Sequence, residues 1–170
     1  DKYLYDKRRG ARQFNEDVPI SFSYFLFSNA SLKRVVFKNI KVFDEKFNSY
    51  GGEDTELAIR LWEAYPKSLR FSSLAVSENF GNRNLDVFRE KMYEYGQNNF
   101  LLLIKKYPHY IDELGGKYIN SARGYIIFNP IIRFAVYLLG LMIENYWLTR
   151  YLIVDLVIRG AREAKKEDVK

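Results

Sequence analysis

The chain has 170 residues, 48% of them hydrophobic and 17% aromatic, which suffices for one ordinary core but is short for two domains. It has no cysteine and a single histidine, His109, which excludes a disulfide framework, a thiolate metal site and a histidine zinc cluster. The net charge of +6 favours anionic neighbours such as phosphates or acidic lipid headgroups. Because the N-terminus lacks both an initiating Met and the apolar segment of a signal peptide, we expect an excerpt or a processed product.

The first part of the chain is predicted to mix strands and helices. The alternating aromatic run SFSYFLF (21–27) predicts a strand, and SNASLKRVVF after it predicts a polar loop that leads into a short helix. A helix is predicted from about Glu53 to Tyr65. The segment SLRFSSLAV, after Pro66, predicts a second strand, so the two strands would bracket the turn before the helix.

The remainder of the chain is predicted to be helical. Four apolar residues recur at spacings of three and four: Leu85, Phe88, Met92 and Tyr95. This spacing predicts an amphipathic helix, which continues to Tyr107 before Pro108. Because the chain reads as helical from near Gly115 to its end, we divide it into residues 1–114 and a C-terminal helical extension, residues 115–170.

The segment YGGEDTELAIRL (50–61) places three carboxylates, Glu53, Asp54 and Glu56, directly after Gly51 and Gly52. One interpretation is helix capping, since negative charge in a first helical turn is stabilising by about 0.3–1 kcal/mol per residue. Capping alone does not require two glycines, which permit a close backbone approach or a positive φ. The other interpretation is a general base, that is, an ionised carboxylate that accepts a proton from a bound hydroxyl.

Two segments, FSNASLKRVVF and VFDEKFNSYGGEDTELAIRL, together resemble the acceptor-side half of family 2 glycosyltransferases of the GT-A fold. The signature of that half is Asn-x-Ser, then Phe-Asp-Glu-x-Phe, then Gly-x-Glu-Asp-x-Glu-Leu at the start of a helix, and the resemblance covers about residues 18–80. It implies an α/β fold, the acceptor-side half of a GT-A domain followed by the helical extension. It also implies transfer of a sugar, with inversion, from a nucleotide-sugar donor to a glycan or lipid-linked acceptor in bacterial cell-surface polysaccharide synthesis.

The resemblance assigns roles to individual residues. Asp54 would be the catalytic base, and Glu53 would contact the acceptor or orient the turn. The other positions that match the acceptor side are Asn29, Ser31, Asp44, Glu45, Gly51 and Gly52. Turn capping and loop solvation remain alternatives for the four of these residues that carry polar side chains.

The donor side of the family is not found in this sequence. Family members hold the nucleotide-sugar diphosphate through a divalent metal bound by an Asp-x-Asp motif, and these 170 residues contain no Asp-x-Asp. We therefore expect the chain to lack its N-terminal donor half and to be inactive alone. The resemblance implies Mg²⁺ or Mn²⁺, with its main ligands outside this chain. Glu78 is a candidate oxygen ligand, and Arg83 is a candidate for the donor phosphates or for a surface ion pair.

The C-terminal stretch raises the question of a membrane. The segment YIIFNPIIRFAVYLLGLMI (125–143) carries one charge, Arg133, at mid-span, and a break at Asn129-Pro130, both of which disfavour a spanning helix. A narrow polar stripe leaves a broad apolar surface, which would lie on a membrane, bury against a partner or cover the core of the catalytic domain. With the basic residues of the tail, this predicts a cytoplasmic location, peripheral to the inner face of the membrane.

A second function class remains open at this point, a noncatalytic helical module that docks a membrane surface or a protein partner. The two classes differ in whether Asp54 has a chemical role. Binding to nucleic acid is not expected, because the basic residues are scattered and the aromatic residues cluster in apolar runs typical of a core.

Overall fold

The computed structural model describes residues 3, 14–16, 18–25, 27–77 and 84–167. These residues contain six α-helices: α1 Glu53–Ala64, α2 Leu85–Gln97, α3 Asn99–Lys106, α4 Ala122–Ile127, α5 Pro130–Met142 and α6 Tyr146–Glu167. They also contain five 3₁₀ turns: Phe22–Tyr24, Phe27–Asn29, Arg34–Lys38, Pro108–Tyr110 and Gly116–Tyr118.

The predicted strands are not formed in the described residues, so this part of the α/β prediction is not confirmed. The first predicted strand contains two 3₁₀ turns, and the Ser21 hydroxyl accepts a hydrogen bond from the Ser23 N–H at its start. Among the described residues, the strand pairing near these two segments is an isolated bridge between Pro19 and Arg70, beside the hydrogen bond from the Ile20 N–H to the Leu69 carbonyl at 2.9 Å. Hydrogen bonds from serine side chains to the nearby backbone compete with the backbone pairing of a sheet. Here the local turn at Ser21 forms instead of a strand, because a single bridge stabilises the extended conformation too little.

The helix predicted from about Glu53 to Tyr65 is confirmed as α1. Gly52 precedes it with φ of 88°, and Leu57, Ala58, Ile59 and Leu61 are buried. The buried residues of α1 form one hydrophobic cluster with the segments on either side and with the C-terminal part of α3: Ile20, Phe22, Ile40, Phe47, Leu57, Ala58, Ile59, Leu61, Leu69, Leu103 and Tyr107. The short helix predicted after the polar loop is the 3₁₀ turn Arg34–Lys38.

The single helix predicted from Leu85 to Tyr107 is two helices in the structure. Asn98, at φ −116° and ψ −92°, leaves the helical conformation and separates α2 from α3. Helix α3 then buries its apolar residues in both hydrophobic clusters, with Leu103 in the first and Phe100 and Ile104 in the second. Because of this break, the apolar residues that the sequence predicts along one continuous helix pack in two different directions.

The helical C-terminal region is confirmed, and its longest helix, α6, packs along α2. Two glycines allow this close approach, because a Cβ at Gly96 would lie 2.2 Å from the Val157 carbonyl oxygen, and one at Gly160 would lie 2.4 Å from that of Tyr93. A second cluster fills the interior: Phe100, Ile104, Ile119, Phe128, Ile158 and Ala161. The domain division at residue 114 stays a prediction, and Leu114 contacts both clusters.

Helix α5 leaves most of its apolar side chains exposed. Ile131 is 81% exposed, Leu141 67% and Met142 83%, and Trp147 at the start of α6 is 58% exposed. Within the described ranges, every helix is either too short or too polar to cross a bilayer. The extension therefore has a broad apolar surface that the described residues do not cover.

Candidate functional site

The glycine turn before α1 is held from α2 and α3. Gly51 and Gly52 have φ of 76° and 88°, in the left-handed region that disfavours side chains. The Tyr95 ring covers them, so that a Cβ at Gly52 would lie 3.0 Å from its Cε2. Asn99, which is 2% exposed, donates from Nδ2 to the carbonyl oxygens of Ser49 and Gly51, both at 2.7 Å. These contacts hold the turn in one conformation and so fix where α1 begins.

Asp54 is half-buried in the first turn of α1. Its Oδ2 accepts a hydrogen bond from the Phe27 N–H at 3.2 Å, and Oδ1 has no donor among the residues that the structure describes. Burial raises the pKa of Asp54 above its ordinary value, and the bond from Phe27 offsets part of that rise. A carboxylate anchored through one oxygen, with the other left for a ligand and a raised pKa, has the properties of a general base.

Phe27, whose backbone amide binds Asp54, belongs to a small group of aromatic side chains. The Phe27 ring packs edge-on against the Phe43 ring at 5.3 Å and against the Phe25 ring at 4.8 Å. Phe43 is 45% exposed.

Glu53 precedes Asp54 and points toward Tyr95. Its Oε2 atom is buried without a hydrogen-bond partner among the described residues, and burial, with the Glu53 charge as a second cause, raises the pKa of the Tyr95 hydroxyl. A buried carboxylate oxygen without a donor is unfavourable unless a ligand supplies one. The predicted role of Glu53, acceptor contact or turn orientation, stays a prediction.

The third acidic residue, Glu56, is surrounded by hydrogen-bond donors and has a structural role. Its side chain is fully buried and accepts from the guanidinium of Arg60 at 2.8–3.0 Å, from Lys106 Nζ at 2.7 Å and from the Tyr107 hydroxyl at 2.8 Å. Burial alone would raise the pKa of Glu56, but these hydrogen bonds lower it below its ordinary value. Glu56 therefore joins α1 to α3 as the centre of an ion-pair network.

The loop that contains Asp44 and Glu45 is tied to this network. Asp44 Oδ2 accepts from Lys106 Nζ at 2.6 Å, which lowers the pKa of Asp44, and Arg60 donates to the carbonyl oxygens of Lys41 and Val42. Glu45 is exposed. The structure thus assigns Asp44 a loop-anchoring contact, and the predicted acceptor role of both acids stays a prediction.

The Asn-x-Ser segment lies beside the segment that follows residue 70. Asn29 donates from Nδ2 to the Ala75 carbonyl oxygen at 2.7 Å, and both Asn29 and Ser31 are exposed. Asn29 therefore links the 3₁₀ turn after Phe27, whose amide binds Asp54, to residue 75. Its acceptor role and that of Ser31 are not tested by these contacts.

The two residues predicted for the donor side, Glu78 and Arg83, lie outside the described residues. Within the described ranges, no three His, Asp or Glu side chains are grouped as a metal site would require.

Sequence reasoning missed several residues that hold the site. Glu56 and Arg60 stand four apart on one helix, a spacing that indicates an ion pair. Asn99 and the Phe27 amide gave no such signal, because each acts on a residue far away in the chain, Asn99 on Gly51 and Phe27 on Asp54. Only the packing of α3 and of the 3₁₀ turn brings them to the glycine turn.

Comparison with known families supports a glycosyltransferase. Residues 12–80 match the family model described as the N-terminal domain of galactosyltransferase. A glycosyltransferase-family domain is therefore present in this part of the chain, and it contains the glycine turn and Asp54. The match ends before α2, so the later helices lie outside it. No curated protein and no solved structure shows significant similarity to the chain.

Proposed function

We propose that this protein transfers a sugar from a nucleotide-sugar donor to a hydroxyl group of a glycan or lipid-linked acceptor, with Asp54 as the general base. The supporting observation is the placement of Asp54, within the matched glycosyltransferase segment, in the first turn of α1 behind two left-handed glycines. Its anchoring by the Phe27 amide leaves Oδ1 for the acceptor hydroxyl.

The proposed reaction is a single displacement with inversion. The acceptor hydroxyl transfers its proton to Asp54 as its oxygen bonds to the anomeric carbon of the sugar. The bond from that carbon to the diphosphate oxygen breaks, and the nucleoside diphosphate leaves with the electron pair. Since burial raises the pKa of Asp54, its carboxylate is a stronger base than that of an exposed aspartate.

More specifically, we propose that the chain is the acceptor-side half of a GT-A domain of family 2 and that it acts in bacterial cell-surface polysaccharide synthesis. On this proposal the donor half and most ligands of a Mg²⁺ or Mn²⁺ ion belong to another segment, and these 170 residues alone do not turn over. Such an ion, when bound, would offset the charge of the leaving diphosphate. Because the matched model is named for galactosyl transfer, nucleotide-linked galactose is the first donor to test.

We further propose a cytoplasmic location, peripheral to the inner face of the membrane. The exposed apolar side chains of α5, with Trp147 at the start of α6, form a surface typical of interfacial helices. A lipid-linked acceptor would then reach the enzyme from the bilayer to which the enzyme is bound.

Replacing Asp54 with Asn in the full-length gene product tests the base. Asn keeps an oxygen for the Phe27 amide but accepts no proton. We expect kcat for transfer from radiolabelled UDP-galactose, or from another nucleotide sugar if galactose is not the donor, to fall by about 10²–10⁴-fold. A lipid and glycan extract of the source cells supplies the acceptor, and the acceptor KM should change little.

Asp86→Asn is the matched control. Asp86 is the second residue of α2 as Asp54 is of α1, and it is exposed and paired with Arg89 outside the matched segment. Transfer by the Asp86→Asn protein should equal that of the parent. If the Asp54→Asn protein transfers sugar within about threefold of the parent rate, Asp54 is not the base.

The exposed surface of α5 also favours the second class, a noncatalytic docking module. On that alternative, no nucleotide sugar is a donor for the full-length protein, and Asp54→Asn changes nothing but stability. The same assay therefore separates the two classes.

A further inference from the structure

Helices α2, α5 and α6 enclose an open groove of about 420 Å³, to which α1 and the glycine turn contribute no residue. Nine residues line it: Arg89, Pro130, Arg133, Phe134, Tyr137, Leu152, Asp155, Leu156 and Arg159. The lining thus combines three guanidinium groups and one carboxylate with apolar and aromatic walls. The groove has no part in the proposed sugar transfer.

A buried ion pair fixes the polar end of the groove. Asp155 is 1% exposed, and its Oδ2 accepts from Arg133 Nε at 2.6 Å, while Arg159 Nη1 lies 3.9 Å away. Asp155 Oδ1 is buried and lacks a hydrogen-bond partner among the described residues. A polar atom buried without a partner beside a cavity indicates a missing hydrogen-bond donor, which a hydroxyl group of a ligand would supply.

The guanidinium groups leave positive charge in the groove. Arg133 binds Asp155 through Nε, and among the described residues its two Nη groups have no acceptor. Arg89 pairs with Asp86 at the rim, and Arg159 lies over the Tyr93 ring at 5.6 Å. Three cations therefore face two carboxylates, and an anion would complete the balance. Guanidinium groups bind phosphate oxygens through paired N–H donors.

The apolar walls of the groove continue into the exposed surface of α5. Phe134 and Tyr137 line the groove and are also 62% and 48% exposed on that surface. Farther along the same helix, Leu141 and Met142 are more exposed still. A ligand with a phosphate group at the arginines could therefore lay apolar chains along α5 without leaving the protein surface.

We propose that the groove binds the headgroup of an anionic phospholipid within a bilayer, with the phosphate at Arg133 and Arg159 and a headgroup hydroxyl at Asp155. Phosphatidylglycerol has this chemistry, since it carries one phosphate charge, two free hydroxyl groups and two acyl chains. This inference rests on the membrane part of the proposed function and is independent of sugar transfer. With such a site, the C-terminal extension would bind anionic lipid selectively, whereas an apolar surface alone would not distinguish between lipids.

Vesicle co-sedimentation tests the site with two compositions, pure phosphatidylcholine and phosphatidylcholine with 30% phosphatidylglycerol. The test variant is Arg89→Gln with Arg159→Gln, which spares the more buried Arg133. The matched control is Arg34→Gln with Lys38→Gln, which removes the same charge from exposed positions on the 3₁₀ turn Arg34–Lys38, away from the groove. Far-UV circular dichroism and thermal unfolding establish that each variant is folded.

The parent should bind the phosphatidylglycerol vesicles at least tenfold more tightly than the pure phosphatidylcholine vesicles. At about 1 kcal/mol for each basic residue at a lipid surface, the groove double variant should bind them roughly 30-fold more weakly. The control double variant should bind within about twofold of the parent. If the two double variants bind equally, the groove is not the lipid site.

Three further outcomes would overturn the proposal in distinguishable ways. Equal affinity for both vesicle types would mean that the protein has a membrane-binding surface but no site for anionic lipid. Inorganic phosphate at 10 mM that displaces the protein from vesicles would indicate a soluble phosphate ligand. A dimer in light scattering that Leu141→Ser makes monomeric, with no vesicle binding, would assign the surface to a second copy. Failure of the proposed sugar transfer, seen as no transfer by the parent or as unchanged transfer by the Asp54→Asn protein, would by contrast leave the lipid site intact.

Discussion

Replacement of Glu56 by Gln is expected to destabilise the protein more than any other single loss of charge around the glycine turn. The substitution is nearly isosteric, but it removes the negative charge that Arg60 and Lys106 share in a fully buried position. The amide also offers one acceptor oxygen in place of two. Tyr107, which donates to the same carboxylate, then competes with both cations for that oxygen.

The expected loss of stability depends on the contacts that Arg60 and Lys106 retain after the substitution. Breaking a buried ion pair by removing one partner costs about 3–5 kcal/mol. Arg60 still donates to two loop carbonyl groups, Lys106 still pairs with Asp44, and their side chains are 21% and 35% exposed. We therefore expect a loss of about 3 kcal/mol in the free energy of unfolding, at the low end of that range. For a chain of this size this lowers Tm by about 6–12 °C.

Urea denaturation followed by circular dichroism at 222 nm measures the loss, with Glu63→Gln as the control. Glu63 lies on the same helix and is exposed, with His109 Nε2 3.0 Å from its carboxylate, so its replacement should cost less than about 1 kcal/mol. Because the folded protein lowers the pKa of Glu56, its contribution is complete above the ordinary value of 4.5 and is lost as the pH falls through the lower folded value. A loss at pH 7 no larger than that of Glu63→Gln would refute the network as a source of stability.

Two other outcomes are expected. Gly96→Ala should destabilise the protein by about 1–3 kcal/mol, because its Cβ would meet the Val157 carbonyl oxygen in α6, whereas Gly140→Ala, with no atom within 4 Å, should stabilise exposed α5 by about 0.5–1 kcal/mol. Thermal unfolding of both variants checks this, and equal shifts in Tm would contradict the close packing of α2 on α6. In the full-length protein, kcat/KM for transfer should rise with pH as Asp54 loses its proton, with a midpoint above the ordinary value of 3.8 because burial raises its pKa. A pH–rate profile with no such acidic limb would contradict the proposed base.

The helices could largely be predicted from the sequence. Helix α1 begins where two glycines meet three acidic residues, and the apolar spacing from Leu85 predicts α2. Both signals are local, since capping and helical periodicity act within one or two turns. The position of Asp54 in a first helical turn was therefore available from the sequence, and so was its candidate role.

The strands and the break at Asn98 could not be predicted in this way. An alternating run becomes a strand only if another strand pairs with it, and here residues 19 and 70 form an isolated bridge. The spacing that continues from α2 into α3 is equally compatible with one helix or two. Packing of α3 against two different clusters decides between them.

The sequence by itself determined that carboxylates stand at a glycine-bounded helix start, and it determined the amphipathic character of the C-terminal helices. Tertiary structure alone decided the surroundings of these carboxylates, because Glu56 is satisfied by Lys106 from α3, while Asp54 receives one amide from residue 27. It also brought Arg133 to Asp155, 22 positions away, and so created the groove. Periodicity reports which face of an element is apolar, but a pair of charges meets only when separate elements pack, and that depends on the whole chain.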